Sequence, residues 1–350
     1  MLLYQSDLWK KINQDAFWKT IWEDSILDQP VWGISNDWQK AGLNFRAYQL
    51  LGVEIGDFKN FQSQISTFKN LANKYLRTWK DAYFQLGFVD IVGRIDSRLV
   101  RKDIQNAQDL IQKKQDLLSQ FKKYGLSPSF RENMPNATVE IDLTKQEDWL
   151  FEDMGATPRR YVKKFQKAWF EVVEGTNQSL AKEFWQLWQQ MANVKWIGIW
   201  SWEPFSKLVN ILQDTGKGEI LLSKNKDWKI GFGWVFLFLW DRLVYLYGAM
   251  NGAFWWAGYH LMRNAIVKYK QAWFKIFDLL GVSSLNQSSH KWQNISRFKY
   301  SLWWEHIEYL GNFDIVHNWL VYKMMQTYYQ IKTLKSNKNK NVKNSSKQKS

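Results

Sequence analysis

Four histidines, His260, His290, His306 and His317, are the only imidazoles in a chain of 350 residues that contains no cysteine. Without a thiol there is no disulfide framework, no thiolate-held zinc or iron–sulfur centre and no cysteine nucleophile. Asp314 and His317 stand at i, i+3, with Glu305, His306 and Glu308 close by. Helical carboxylate–histidine metal ligation needs that pairing twice plus further inward carboxylates. It occurs once, so no metal site is expected. No GxGxxG, P-loop, HExxH or GxSxG pattern is present, which leaves phosphate-cradle, zinc-protease and nucleophile-elbow chemistry unsupported. The residues alone therefore predict a catalytically silent chain with no cofactor and no small-molecule ligand.

Basic residues interleave with rings at Lys74-Tyr75 with Trp79, Lys164-Phe165 with Trp169, and Lys268-Tyr269 with Trp273. Such spacing would suit stacking platforms for single strands. It is also the spacing of an amphipathic helix with rings inward and lysines outward, and no RNA-binding module accompanies it. The net charge of +15 is concentrated at one end: Lys335, Lys338, Lys340, Lys343, Lys347 and Lys349 leave +9 for the body (15 − 6). Lys335–Ser350 reads as a disordered, solubilising tail. It would attract anionic surfaces, including nucleic acid, by charge alone. Met1–Gln5 lacks the basic flank and apolar run of a signal peptide.

Composition sets the elements that must carry these residues. Tryptophan (23), phenylalanine (22) and tyrosine (15) make 17% of the chain, against 5 prolines. Rings in such number favour interfaces, so a partner is expected. From Asp57 to Leu86 the apolar positions Phe58, Phe61, Ile65, Phe68, Leu71, Tyr75, Trp79 and Leu86 recur at three and four, predicting one long amphipathic helix. Asp90–Tyr124 and Arg159–Ala192 read alike, with Gly175 as a break. Three prolines between Gly125 and Pro158 mark a linker, despite a weak alternation over Val139–Leu143. The fold class is therefore all-α: an elongated assembly of long amphipathic helices, with a Trp-rich region 1–124, a linker 125–158, a helical region 159–334 and the tail 335–350.

Ile230–Tyr259 approaches the length of a membrane span. Asp241 and Arg242 in its middle would each cost about 2.5–3.5 kcal/mol at a bilayer centre. A buried core or interface helix, packed through the small residues Gly248, Ala249, Gly252 and Ala253, is the cheaper reading.

Taken in order, several short stretches resemble PhaE, the non-catalytic subunit of class III polyhydroxyalkanoate synthases. Trp9, Phe17-Trp18, Trp22-Glu23-Asp24, Pro30-Val31-Trp32 and Asp37-Trp38-Gln39-Lys40-Ala41 are similar to that family's Trp-studded opening. Gly155-Ala156-Thr157-Pro158-Arg159 with Lys164, Lys167 and Trp169, Asp214-Thr215-Gly216-Lys217 before Trp228, and Asn264-Ala265 before Tyr269-Lys270 follow in the family's order. The resemblance implies a helical subunit that binds and activates a catalytic chain through Trp9, Trp18, Trp22, Trp32, Trp38 and Trp169, in the cytoplasm or on a granule. Composition supports a second reading. Lys, Asn and Trp richness resembles products of AT-biased organellar genomes, making the chain a membrane-associated accessory subunit of a respiratory or ATP-synthase complex at the mitochondrial inner membrane, or more remotely a mitoribosomal protein. Partners under these readings are a catalytic or scaffold protein subunit and an anionic membrane or granule surface.

Overall fold

The computed structural model describes residues 3–26, 29–40, 43–55, 61–97, 100, 104–147, 150, 155–167, 170–195, 197–254, 256–285, 287, 292–302 and 304–331. Along the chain run α1 (Asp7–Lys11), β1 (Thr20–Ile26), β2 (Gln29–Lys40), β3 (Leu43–Val53), α2 (Phe61–Tyr75), β4 (Asp81–Asp96), α3 (Ile104–Lys123), β5 (Ser127–Pro128) and β6 (Ala137–Asp142). They are followed by α4 (Ala156–Lys167), β7 (Glu171–Gly175), α5 (Gln178–Lys195), α6 (Trp202–Thr215), β8 (Gly218–Lys224), β9 (Ile230–Leu239), β10 (Arg242–Met250), α7 (Ala257–Gln271), β11 (Ile276–Asp278), α8 (Gln293–Tyr300), β12 (Glu305–Val316) and α9 (319–331). Twelve strands overturn the all-α expectation: the chain is mixed α/β.

Two compact units divide it. One comprises Met1–Trp18, Phe88–Leu117 and Met134–Gly311; the other comprises Lys19–Gly87, Leu118–Asn133 and Asn312–Ser350. The stretch 125–158, expected as a linker, carries β5 and β6.

In the first unit the strand order is β12-β6-β11-β10-β9-β8-β7. Both faces of its centre are covered. Phe232, Trp234 and Phe236 of β9 pack with Leu261, Ile266 and Tyr269 of α7 on one face. Val235 and Leu237 pack with Phe184 of α5 and Phe205 of α6 on the other. A strand buried on both sides needs an uninterrupted apolar run, which periodicity cannot tell from a buried helix. Ile230–Leu239, expected to be helical by its apolar run, is such a strand. Asp241 falls in a two-residue hairpin loop, since Leu239 pairs with Arg242 across Trp240-Asp241, and Trp240 takes a φ of 53°. The charges in the apolar stretch thus mark a turn. Among the described residues no helix is long and apolar enough to cross a membrane.

In the second unit β1-β2-β3-β4 are successive neighbours, and β5 pairs with Phe313 and Asp314 of β12. The predicted helix over Asp57–Leu86 survives as α2, whose Ile65, Phe68, Leu71 and Ala72 are buried. It stops because Asp81 Oδ2 accepts the N–H groups of Arg77 (3.0 Å) and Thr78 (2.7 Å) and the Thr78 hydroxyl (2.9 Å). These bonds satisfy a turn that launches β4 instead. Arg159–Ala192 is likewise broken by β7, at the expected Gly175, whose φ is 144°.

Candidate active site

β10 and β11 run parallel but pair over three residues only, ending at Val244 and Asp278. Beyond that point, among the described residues, no strand pairs with the β11 side of β10, and its register on β9 shifts between Tyr245 and Tyr247. A bulge of this kind re-aims side chains. Tyr245 packs with the α7 face, whereas Leu246 and Tyr247 both face the α5–α6 side. The result is a gap in a two-sided sheet, where β10 runs on to Met250 past the end of β11 at Asp278.

Charged groups converge at its apex. Asp278 Oδ1 accepts the Thr138 hydroxyl (2.5 Å) and the Leu280 N–H (2.8 Å), and its Oδ2 faces Arg242 at 3.4 Å. Arg242 also pairs with Glu140, which lies 3.6 Å from Arg94. Burial, then the neighbouring Asp278, raises Glu140 above the ordinary carboxylate range, with Arg242 and Arg94 working against them. For Arg242, burial disfavours its charge, but Asp278 and Glu140 outweigh that and raise it. Burial followed by Asp278 and Glu140 pushes the Tyr309 phenol well up. Arg94 and Glu305 are about half exposed, so the charged face opens towards solvent at that edge.

From the α8 side Lys299, itself buried, donates to the carbonyls of Leu280 (2.7 Å) and Gly281 (2.8 Å) and lies 5.2 Å over the Tyr245 ring. Burial pulls its ammonium down to about 7, with Asp278 partly offsetting. Leu280 takes a φ of 54°, unfavourable for a branched side chain. Lys299 thus fixes the strained turn by which β11 leaves β10. From the opposite side Trp200 Nε1–H donates to Tyr247 Oη (3.0 Å), and Phe17 stacks on Trp200 at 4.2 Å. Tyr4 packs in the same cluster, its phenol pushed up by burial, Asp278 and Tyr247.

The residues singled out from sequence have different fates. Trp9 packs edge-on with Tyr4 and Phe17 near this wall, and Trp18 is 55% exposed beneath the Lys207 ammonium. Trp22 lies over Gly33, where a Cβ would come within 2.1 Å of the ring, and contacts Tyr75 and Phe84. Trp32 is buried on β2, and Trp38 packs with Phe45 and Tyr328. Trp169 and the tail lysines Lys335, Lys338, Lys340 and Lys343 lie outside the described residues. Gly248 and Ala249 stand on β10 and Gly252 and Ala253 in a 3-10 turn, so the expected helix-packing face does not form. Gly248 instead makes room for its own strand: a Cβ there would meet Tyr245 Oη at 1.7 Å.

Glu305, His306 and Glu308 fall on β12 rather than a helix, which removes the one-turn spacing that suggested ligation. Among the described residues no group of three or more His, Asp or Glu could hold a metal ion. His306 joins a buried relay instead. Its Nε2 bonds Glu308 Oε2 (2.9 Å) and its Nδ1 meets Tyr300 Oη (3.0 Å), while Lys114 Nζ reaches Glu308 Oε1 at 2.5 Å. The apex residues Glu140, Arg242, Asp278 and Lys299 were missed because no motif spacing links them. The one signal was a charge pair, Asp241-Arg242, inside an apolar run.

No protein-family model matches the sequence, and no curated protein does. The fold is similar to solved structures. FemX matches with a TM-score of 0.68 at 13% identity, over 93% of this chain and 94% of that one. L-PGS from Bacillus licheniformis matches at 0.50 and 12%, over 89% and 88%. A conserved protein of unknown function from Bacteroides thetaiotaomicron matches at 0.50 and 12%, over 89% and 90%. These likenesses replace the PhaE resemblance, whose short matches lie on strands and turns as often as on helices. With the mixed α/β fold they share, they also overturn the reading as an all-α, non-catalytic synthase subunit and its organellar alternative.

Proposed function

We propose that the chain is an acyl-transfer enzyme that carries an acyl group from an activated ester or thioester to an amine. The observation that carries this reading is the gap beside β10 where β11 ends at Asp278, with carboxylates, phenols, the partly buried Arg242 and the buried Lys299 gathered there. The stretch of β10 beyond Val244 offers backbone hydrogen bonds to an extended donor. Asp278 Oδ2 takes the proton of the incoming amine, whose nitrogen attacks the donor carbonyl. The new C–N bond forms as the C–O or C–S bond breaks, and a phenol, Tyr247 in this geometry, protonates the leaving oxygen or sulfur. Burial keeps that phenol protonated at neutral pH. Lys299 holds the turn after Asp278 and adds positive charge where the carbonyl oxygen becomes anionic. The acyltransferase-like fold neighbours FemX and L-PGS agree with this class of reaction. We place the activity in the cytoplasm, as expected from the sequence.

The test is a survey of purified full-length chain against acyl thioesters and aminoacyl esters, including aminoacyl-tRNA, with amine acceptors, reading N-acylated product by mass spectrometry. Product formation that D278N abolishes is expected. No product from either donor class refutes the proposal.

A further inference from the structure

In the second unit Asp314 is fully buried on β12 and, among the described residues, has no ion pair. Tyr322 of α9 donates to its Oδ2 at 2.9 Å, and Oδ1 has no hydrogen-bond partner. The groups around it are chosen from every neighbouring element. Tyr83 and Gln85 come from β4, Ser129 and Arg131 from the segment after β5, and Tyr322 and Tyr329 from α9. The one cation among them is engaged elsewhere: Arg131 donates to Tyr329 Oη (2.8 Å) and lies 5.2 Å over that ring. Gln85 is likewise committed, donating to Ser129 and to the Arg131 carbonyl and accepting from Asn133.

α9 also docks through ring contacts of Tyr322 with Tyr83 and Phe130. Val321, Tyr322 and Met325 are its buried side chains, joined by contacts of Tyr328 with Trp38 and Tyr329 with Phe130. Trp319 and Leu320 are each 65% exposed. A buried carboxyl with no cation is tolerated as the neutral acid and penalised as the anion.

We propose that Asp314 and Tyr322 form a pH-sensitive latch that docks α9 while Asp314 carries its proton and loosens it when the proton leaves to solvent. The device is independent of the transferase reading, since it involves no residue of the β10–β11 gap.

Burial moves the Asp314 carboxyl from 3.8 to about 7, offset in part by Ser129, Tyr322, Gln85 and the Phe130 N–H. A raised carboxyl favours docking fully below the free value and loses that advantage as pH climbs to the docked value. Between pH 5.5 and 8.0 the opening equilibrium of α9 should therefore rise about thirtyfold. Hydrogen exchange of the 319–331 amides in the full chain, corrected for intrinsic rates, reads it directly. In wild type the protection should fall by that factor, and D314N should be nearly flat across the range. Y322F keeps the carboxyl and should lose protection at both pH values while retaining the slope. Flat protection in wild type, or an equal fall in D314N, overturns the latch. If D314N does not fold, a pH-independent Y322F has the same consequence.

Discussion

The buried pair Lys114–Glu308 offers a stability test whose size follows from the structure. Glu308 is 1% exposed and Lys114 5%, and Ser284, His306 and the Leu285 N–H also serve the carboxylate. Burial works against the charge of Glu308, yet Lys114 and His306 bring its carboxyl from 4.5 down to about 2. At about 1.4 kcal/mol per unit, this depression is worth about 3 kcal/mol at neutral pH. The sign follows from a lowered carboxyl: the stabilisation is complete above the unfolded value near 4.5 and is lost as pH falls towards 2. E308Q should therefore lower unfolding free energy by about 3 kcal/mol at pH 7, with about 2 kcal/mol of the difference gone by pH 3. K114M should cost a similar amount, because it strands a buried anion, whereas K114M/E308Q should recover most of the loss. Urea unfolding followed by tryptophan fluorescence at pH 7, 5 and 3 measures all three variants. A penalty for E308Q below about 1 kcal/mol at pH 7, or one independent of pH, would refute the reasoning.

Other positions test the sheet and its turns. G248A brings a Cβ against Tyr245 Oη and should destabilise by about 1–3 kcal/mol, relieved in G248A/Y245F; equal melting temperatures for all three chains would contradict the close approach. Trp240 and Trp273 hold φ values of 53° and 68° while 68% and 88% exposed, so W240G and W273G should each stabilise by about 1 kcal/mol in thermal unfolding; a loss in either would mean that the ring is supported. R242M leaves Glu140 and Asp278 without their shared cation and should cost about 3 kcal/mol in urea unfolding, with E140Q/R242M less damaged than R242M alone.

The sequence carried the local periodicity faithfully where a helix shows one face to solvent. α2 and α3 lie inside the segments expected to be helical; Ile65, Phe68 and Leu71 of the α2 stripe are buried, while in α3 Phe121 is buried and Ala107, Ile111 and Leu118 are partly so. It misled wherever both faces are covered. β9 presents Phe232, Trp234 and Phe236 to one core and Val235 and Leu237 to the other, so alternation disappears and a ten-residue apolar run remains. The tryptophans divide: Trp32 and Trp234 are buried in this chain's own core, Trp22 and Trp38 are partly buried, and Trp18, Trp79, Trp228 and Trp319 are exposed. The candidate site left almost no trace. Glu140, Arg242, Asp278 and Lys299 come from separate strands and a helix, and only pairing of β6, β10 and β11 brings them together.

The most direct measurement is the rate of acyl transfer to an amine by D278N against wild type, on a donor–acceptor pair that wild type turns over, with both chains shown equally folded. Removal of the carboxylate that accepts the amine proton should lower kcat by about 10²–10⁴-fold while the donor still binds. Equal kcat for the two chains, or an effect confined to KM, would mean that the apex of the β10–β11 gap is not where the transfer occurs.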